Sequence, residues 1–161
     1  MSYTLFFEKP RFKFSSSHFT IFDGETAETL HGHNYHVKLK LSFADVDPKT
    51  ELALDFNVVK KELTKICDEL DEKVLIPEDS PYLTIHKNQN SLAVTYNIDT
   101  YAFPVDATLS LPLSNITTEG LCRYFVERLL LASKSWSRAL LGIEVRIDET
   151  LGQGASYQVG L

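Results

Sequence analysis

Two histidines, His31 and His33, flank a glycine in the stretch ETAETLHGHNY at residues 25–35, with Glu25 and Glu28 just ahead of them. On extended backbone, residues two apart point to the same side, so both imidazoles can reach one ion. His18 closes an earlier run, FKFSSSH, on the parity of Phe12, Phe14 and Ser16. If the two runs are antiparallel neighbours, the 12-residue loop between them returns the chain beside His18 and a third imidazole joins the pair. Three neutral imidazoles with a fourth position open form a common catalytic zinc arrangement. Iron and copper accept the same donors. The plainer alternative is three ordinary polar residues at strand ends. His36, on the opposite parity, and His86, in a later run, are poorer ligands.

The elements that must position these residues can be read from periodicity. Residues 4–18 alternate and are expected to form a strand, and 19–30, with Asp23-Gly24, a loop. Residues 31–43 form a second strand, with His31, His33, Tyr35, Val37, Leu39, Leu41 and Phe43 on one face and His36, Lys38 and Lys40 on the other. That pattern suits an antiparallel sheet with one wet face. Leu52–Phe56 is expected to extend a strand edge. Asp55 caps a helix in which Phe56, Val59, Leu63, Ile66 and Leu70 recur at helical spacing, ending near Asp71. Residues 74–82 hold two prolines and are expected to be loop. Runs at 83–87, 91–97 and 100–105, separated by turn-like HKNQN and NID, predict an extra β meander at about 83–105. Leu109–Leu113 leads to a second helix, capped by Thr117 or Ser114 and carrying Leu121, Phe125, Leu129 and Leu130. Ile143, Val145 and Ile147 mark a strand, and 156–160 a last one. The order implies an α+β fold, one domain over 1–161, with two helices on one face of an antiparallel sheet.

A formal net charge of −6 argues against a nucleic-acid surface. No apolar run approaches the roughly 20 residues that span a membrane. The opening MSYTLFFEKP has no basic start and no small-residue cleavage site. The two cysteines, Cys67 and Cys122, both fall in helical-looking segments, so a reduced, cytoplasmic protein without a disulfide framework is expected. Neither a Gly-rich phosphate loop nor a dinucleotide fingerprint is present.

FKFSSSHF followed by LHGHNYHVKLKL resembles the 6-pyruvoyl-tetrahydropterin synthase and 6-carboxy-tetrahydropterin synthase family, and LALDFNVVKKEL, LDEKVL, NITTEGL and IDET are similar to its later motifs, in the same order. The resemblance implies the tunnelling fold (T-fold), in which subunits assemble into a barrel, as a homotrimer or homohexamer, with sites between subunits. It implies Zn2+ on His18, His31 and His33. It also implies a small pterin substrate anchored by Glu149, with Glu119 and the Thr117–Thr118 backbone assisting. A carboxylate can accept two parallel hydrogen bonds from the ring's amino and ring N–H groups. Read without the family, Glu119 is a dipole-favoured carboxylate in a helix's first turn and Glu149 a solvated strand-end residue.

One departure carries information. The synthases of this family place a catalytic cysteine a few residues before HGH. This chain has Ala27 four before His31 and Glu25 six before, and Glu72 follows Asp71 where the family has histidine. Glu28, three before His31, completes E-x-x-H-G-H. This resembles a subgroup in which glutamate replaces the cysteine and the side chain of 7,8-dihydroneopterin triphosphate is cleaved to 6-hydroxymethyl-7,8-dihydropterin, the folate precursor. A carboxylate, a weaker base than a thiolate, suits removal of an acidified hydroxyl proton better than a C–H proton. The expectation is a zinc-dependent lyase with Glu28 as proton carrier and Asp71 and Glu72 as candidate assistants; Glu25 reads as solvated loop. The alternatives are a 6-pyruvoyl- or 6-carboxy-tetrahydropterin synthase with altered proton carriers, and a non-catalytic pterin- or metal-binding protein.

Overall fold

A computed structural model describes residues 2–136, 139–150 and 152–161. Its long central strand is β3 (His31–Phe43), and along one edge of it lie β1 (Tyr3–Phe7) and β2 (Lys13–His18), both antiparallel. The alternating stretch expected as one strand over 4–18 is therefore two. The break falls around Pro10, which cannot donate to a ladder, and Phe12 N–H closes a turn onto the Lys9 carbonyl at 3.0 Å. On the other edge, β9 (Leu140–Thr150) pairs with β3, and β10 (Gln153–Gly160) with β9, antiparallel throughout.

Further expectations fail. Residues 74–82 are not all loop: β4 (Lys73–Pro77) runs parallel to β2, and β8 (Thr108–Leu111) runs parallel to β4. The run Val74-Leu75-Ile76 carries the strand, and Pro77, which has no N–H to donate to a ladder, falls only at its last residue. The sheet is thus mixed rather than purely antiparallel. Leu52–Phe56 adds no strand; it leads instead into the Asp55 cap, whose side chain accepts from Asn57 N–H at 2.8 Å.

Helices α1 (Phe56–Leu70) and α2 (Thr118–Ser133) cover one face of this sheet. Val59, Leu63, Ile66 and Leu70 of the first and Leu121, Phe125 and Leu129 of the second meet Tyr35, Val37, Leu39, Leu41, Ile143, Val145 and Ile147, all buried. Thr117 rather than Ser114 caps α2, accepting from Gly120 N–H at 3.1 Å. The expected meander forms as a separate sheet of β5 (Leu83–Lys87), β6 (Ser91–Tyr96) and β7 (Asp99–Pro104). No helix among the described residues is long and apolar enough to cross a membrane.

Candidate metal and pterin site

Strand register brings the histidines together. In the β2–β3 ladder His18 lies opposite His31 and Ser16 opposite His33, so all three rings stand on the helix-covered face at the open end of the sheet. Ring centroids are 4.7 Å apart for His18–His31, 5.3 Å for His18–His33 and 4.8 Å for His31–His33. His18 is buried and the other two are half-buried, with one nitrogen from each within 4.8 Å of the others.

The hydrogen bonds around the cluster test whether it fits a metal. His18 Nδ1 meets the Ile116 carbonyl at 2.9 Å, and His31 Nδ1 the Thr29 carbonyl at 2.7 Å. A carbonyl can only accept, so each Nδ1 carries the proton and each Nε2 presents a lone pair. His18 Nε2 is buried without a hydrogen-bond partner among the described residues, and His31 Nε2 lies 2.9 Å from His33 Nε2. Burial lowers the His18 pKa; the Ile116 bond opposes this, and His31 and His33 add to it. The ring is therefore a neutral donor. Converging lone pairs, one of them orphaned in the interior, are what a cation would satisfy.

Carboxylates flank the imidazoles on two sides. Glu28 Oε2 is 3.8 Å from His31 Nε2 and accepts the Thr20 N–H at 3.1 Å. Burial works against its charge, but the Thr20 bonds and the adjacent His31 and His18 outweigh it and hold the carboxyl below its ordinary pKa. Glu149 Oε2 is 4.0 Å from His33 Nε2 and accepts from Thr118 Oγ1 at 3.1 Å, while Oε1 accepts from Gln153 Nε2 at 2.6 Å. Tyr35 stacks on Phe14 beneath the rings, its hydroxyl buried with no partner among the described residues.

Other expected residues stand apart from this group. Asp71 ends α1 and accepts the Ser15 N–H at 2.7 Å; Glu72, at φ 57°, donates its N–H to the Ser15 carbonyl at 2.8 Å. Glu72 lines a cavity with Ser15, Ser17 and Asn34, on the outer face of the sheet, that His33 also borders. Neither carboxylate bonds a histidine among the described residues. Glu119 is exposed in the first turn of α2, and Thr117 is engaged as its cap. Glu25 is exposed, and His36 and His86 are exposed away from the cluster. Both thiols lie in the core, and burial pushes Cys67 up to about 12 and Cys122 up to about 11, so no thiolate serves the site. Gln153 and Thr20, each bonding a site carboxylate, had no sequence signal, because no periodic pattern ties either residue to its partner.

Fold and site define an α+β protein with a three-histidine cluster open to one side and carboxylates beside it. The model of the 6-pyruvoyl tetrahydropterin synthase family matches residues 9–159, and the chain belongs to that family. It is 33% identical over 147 residues to a putative 6-carboxy-5,6,7,8-tetrahydropterin synthase of Methanocaldococcus jannaschii, covering 91% of this chain and 89% of that one. It is similar to the crystal structure of 6-pyruvoyl tetrahydropterin synthase from Plasmodium vivax, with TM-score 0.90, 28% identity, and 100% and 99% of the two chains covered. Variants of that protein, with a glutamate described as a catalytic residue replaced by alanine or cysteine, align with TM-score 0.91 at 27% identity, over 100% of this chain and 99% of theirs. The Plasmodium falciparum 6-pyruvoyl tetrahydropterin synthase matches with TM-score 0.91 and 28% identity over 99% of each chain.

Proposed function

We propose that this chain is a zinc-dependent lyase that cleaves the side chain of 7,8-dihydroneopterin triphosphate to 6-hydroxymethyl-7,8-dihydropterin. The observation that carries this reading is the Glu28 carboxylate, held by Thr20 at 3.8 Å from His31 Nε2, in a chain without the cysteine before HGH that the resemblance to the synthases implies. The glutamate named as catalytic in the Plasmodium vivax protein supports the same assignment. His18, His31 and His33 would hold the metal, which when bound would acidify the substrate's side-chain hydroxyls. Glu149 would anchor the pterin ring by accepting its N–H groups, with Thr118 and Gln153 fixing the carboxylate's orientation.

Glu28 then takes the C2′ hydroxyl proton. The C1′–C2′ bond breaks, C2′ becomes the carbonyl carbon of a released aldehyde carrying the triphosphate, and the electron pair passes into the dihydropterin imine. Glu28 returns the proton to C1′, which balances the reaction. Asp71 and Glu72 would meet such a site only from a neighbouring subunit of a homotrimer or homohexamer.

The second reading, a 6-carboxy- or 6-pyruvoyl-tetrahydropterin synthase, is favoured by the names of the relatives. Incubation with dihydroneopterin triphosphate and identification of the product separates them: 6-hydroxymethyldihydropterin supports the lyase, a tetrahydropterin the synthase. Glu28→Ala should lower turnover roughly 100- to 10,000-fold with metal content and pterin binding retained. If the wild type converts no pterin while still binding it, the chain is a binding protein.

A further inference from the structure

Among the described residues, the meander β5–β6–β7 hydrogen-bonds as a sheet only to itself, yet it is packed against the arm that carries Glu28. Leu92, Val94 and Tyr96 share a second core with Phe19, Ile21 and Ile76. Tyr101 stacks on Phe19 with centroids 5.6 Å apart, and Phe103 lies parallel to Tyr101 at 6.2 Å. The Tyr96 hydroxyl donates to the Asp23 carbonyl at 3.0 Å. These contacts converge on residues 19–23, the outgoing half of the arm. The returning half is fastened to it: Ile21 bridges Ala27, Glu28 N–H reaches the Thr20 carbonyl at 2.8 Å, and Thr20 N–H reaches Glu28 Oε2 at 3.1 Å. Asn115, in the segment before α2, accepts from Ile21 N–H and donates to its carbonyl.

A partly exposed glutamate on a loop has several rotamers open to it, and such loops are ordinarily mobile. Thr20 limits the Glu28 carboxylate, and the packing of Phe19 and Ile21 limits Thr20. We infer that the β5–β7 meander positions the Glu28 carboxylate, with Tyr101 as its principal positioning residue. The inference rests on the reading of Glu28 as proton carrier. An error of about 1 Å in placing a catalytic group can cost about 100-fold in rate.

The test uses the metal-loaded protein and dihydroneopterin triphosphate. Tyr101→Ala should lower kcat between about tenfold and about 100-fold, with KM and metal content changed less than about twofold. Tyr101→Phe, which keeps the stack, should restore wild-type turnover. In a Glu28→Ala background, Tyr101→Ala should cause no further loss, because its effect passes through Glu28. By hydrogen exchange the Glu28 amide should open faster in Tyr101→Ala, while the His31 and His33 amides keep their protection. Unchanged kcat and unchanged Glu28 exchange in Tyr101→Ala overturn the inference, as does an equal loss in the Glu28→Ala background. If Glu28→Ala alone keeps full turnover, the proton-carrier reading fails, and exchange at the Glu28 amide still decides whether the meander holds the arm.

Discussion

Three imidazoles meet because two of them are spaced for one strand face and the third is its cross-strand partner. Each has a distinct hold. The Ile116 carbonyl orients His18, the Thr29 carbonyl orients His31, and His33 sits over Tyr35 with ring centroids 5.6 Å apart. His33→Ala should abolish stoichiometric metal in protein purified without chelator, measured by elemental analysis. His36→Ala, three residues on but facing outward, should leave it intact. Glu149→Gln removes the charge from the proposed ring anchor and should weaken pterin binding roughly 10- to 100-fold by titration calorimetry, the scale of a hydrogen bond to a charged group.

At the level of elements, the pairing of β9 with β10 sets Glu149. Gly154 pairs with Asp148 while Gln153 pairs with Thr150, a bulge that leaves Glu149 outside the ladder register with β10 among the described residues. A Cβ at Gly154 would lie 2.8 Å from Asp148 Cα and closer still to the Ile147 carbonyl oxygen. Gly154→Ala should therefore cost about 1–3 kcal/mol in denaturant unfolding and weaken pterin binding as Glu149 moves. Asp148 braces the same strand from the wet face, accepting from Lys38 at 3.0 Å and from Arg146 Nε at 2.9 Å. Burial disfavours its charge, but the Arg146 and Lys38 bonds outweigh this and hold the carboxyl below its usual pKa. A depressed folded-state pKa contributes stability above the unfolded value of about 3.9, lost as pH falls below it. Asp148→Asn should lower stability by on the order of 1 kcal/mol at pH 7, both cations being open to solvent. The gap to wild type should close below about pH 4.

The whole molecule separates two cores with different duties. The helix-covered core carries the sheet, so Leu63→Ala should cost about 2–5 kcal/mol while the metal stays bound in the folded fraction. The smaller core under the meander carries the Glu28 arm. Among the described residues, strands β8 and β10 each pair on one side only, which leaves sheet edges for a partner. In solution the mass is expected at three or six times the 18.3 kDa chain, read by light scattering.

Short-range pattern was enough for much of this. The H-x-H pair, the parity of His18, the alternation of β3 and the Asp55 and Thr117 caps all depend on neighbours a few residues away, and each came through in the fold. So did the missing thiol, since both cysteines lie at buried helical spacing. Long-range pairing escaped. A parallel β4 depends on β2 and β8, which lie tens of residues away, and no local rule shows that Pro77 falls at its last residue. The separation of Asp71 and Glu72 from the histidines follows from sheet face and helix end together. Residue types and local spacing determined which groups could do chemistry; tertiary packing decided which of them share one side of one sheet, because only the register between distant strands brings their side chains within reach.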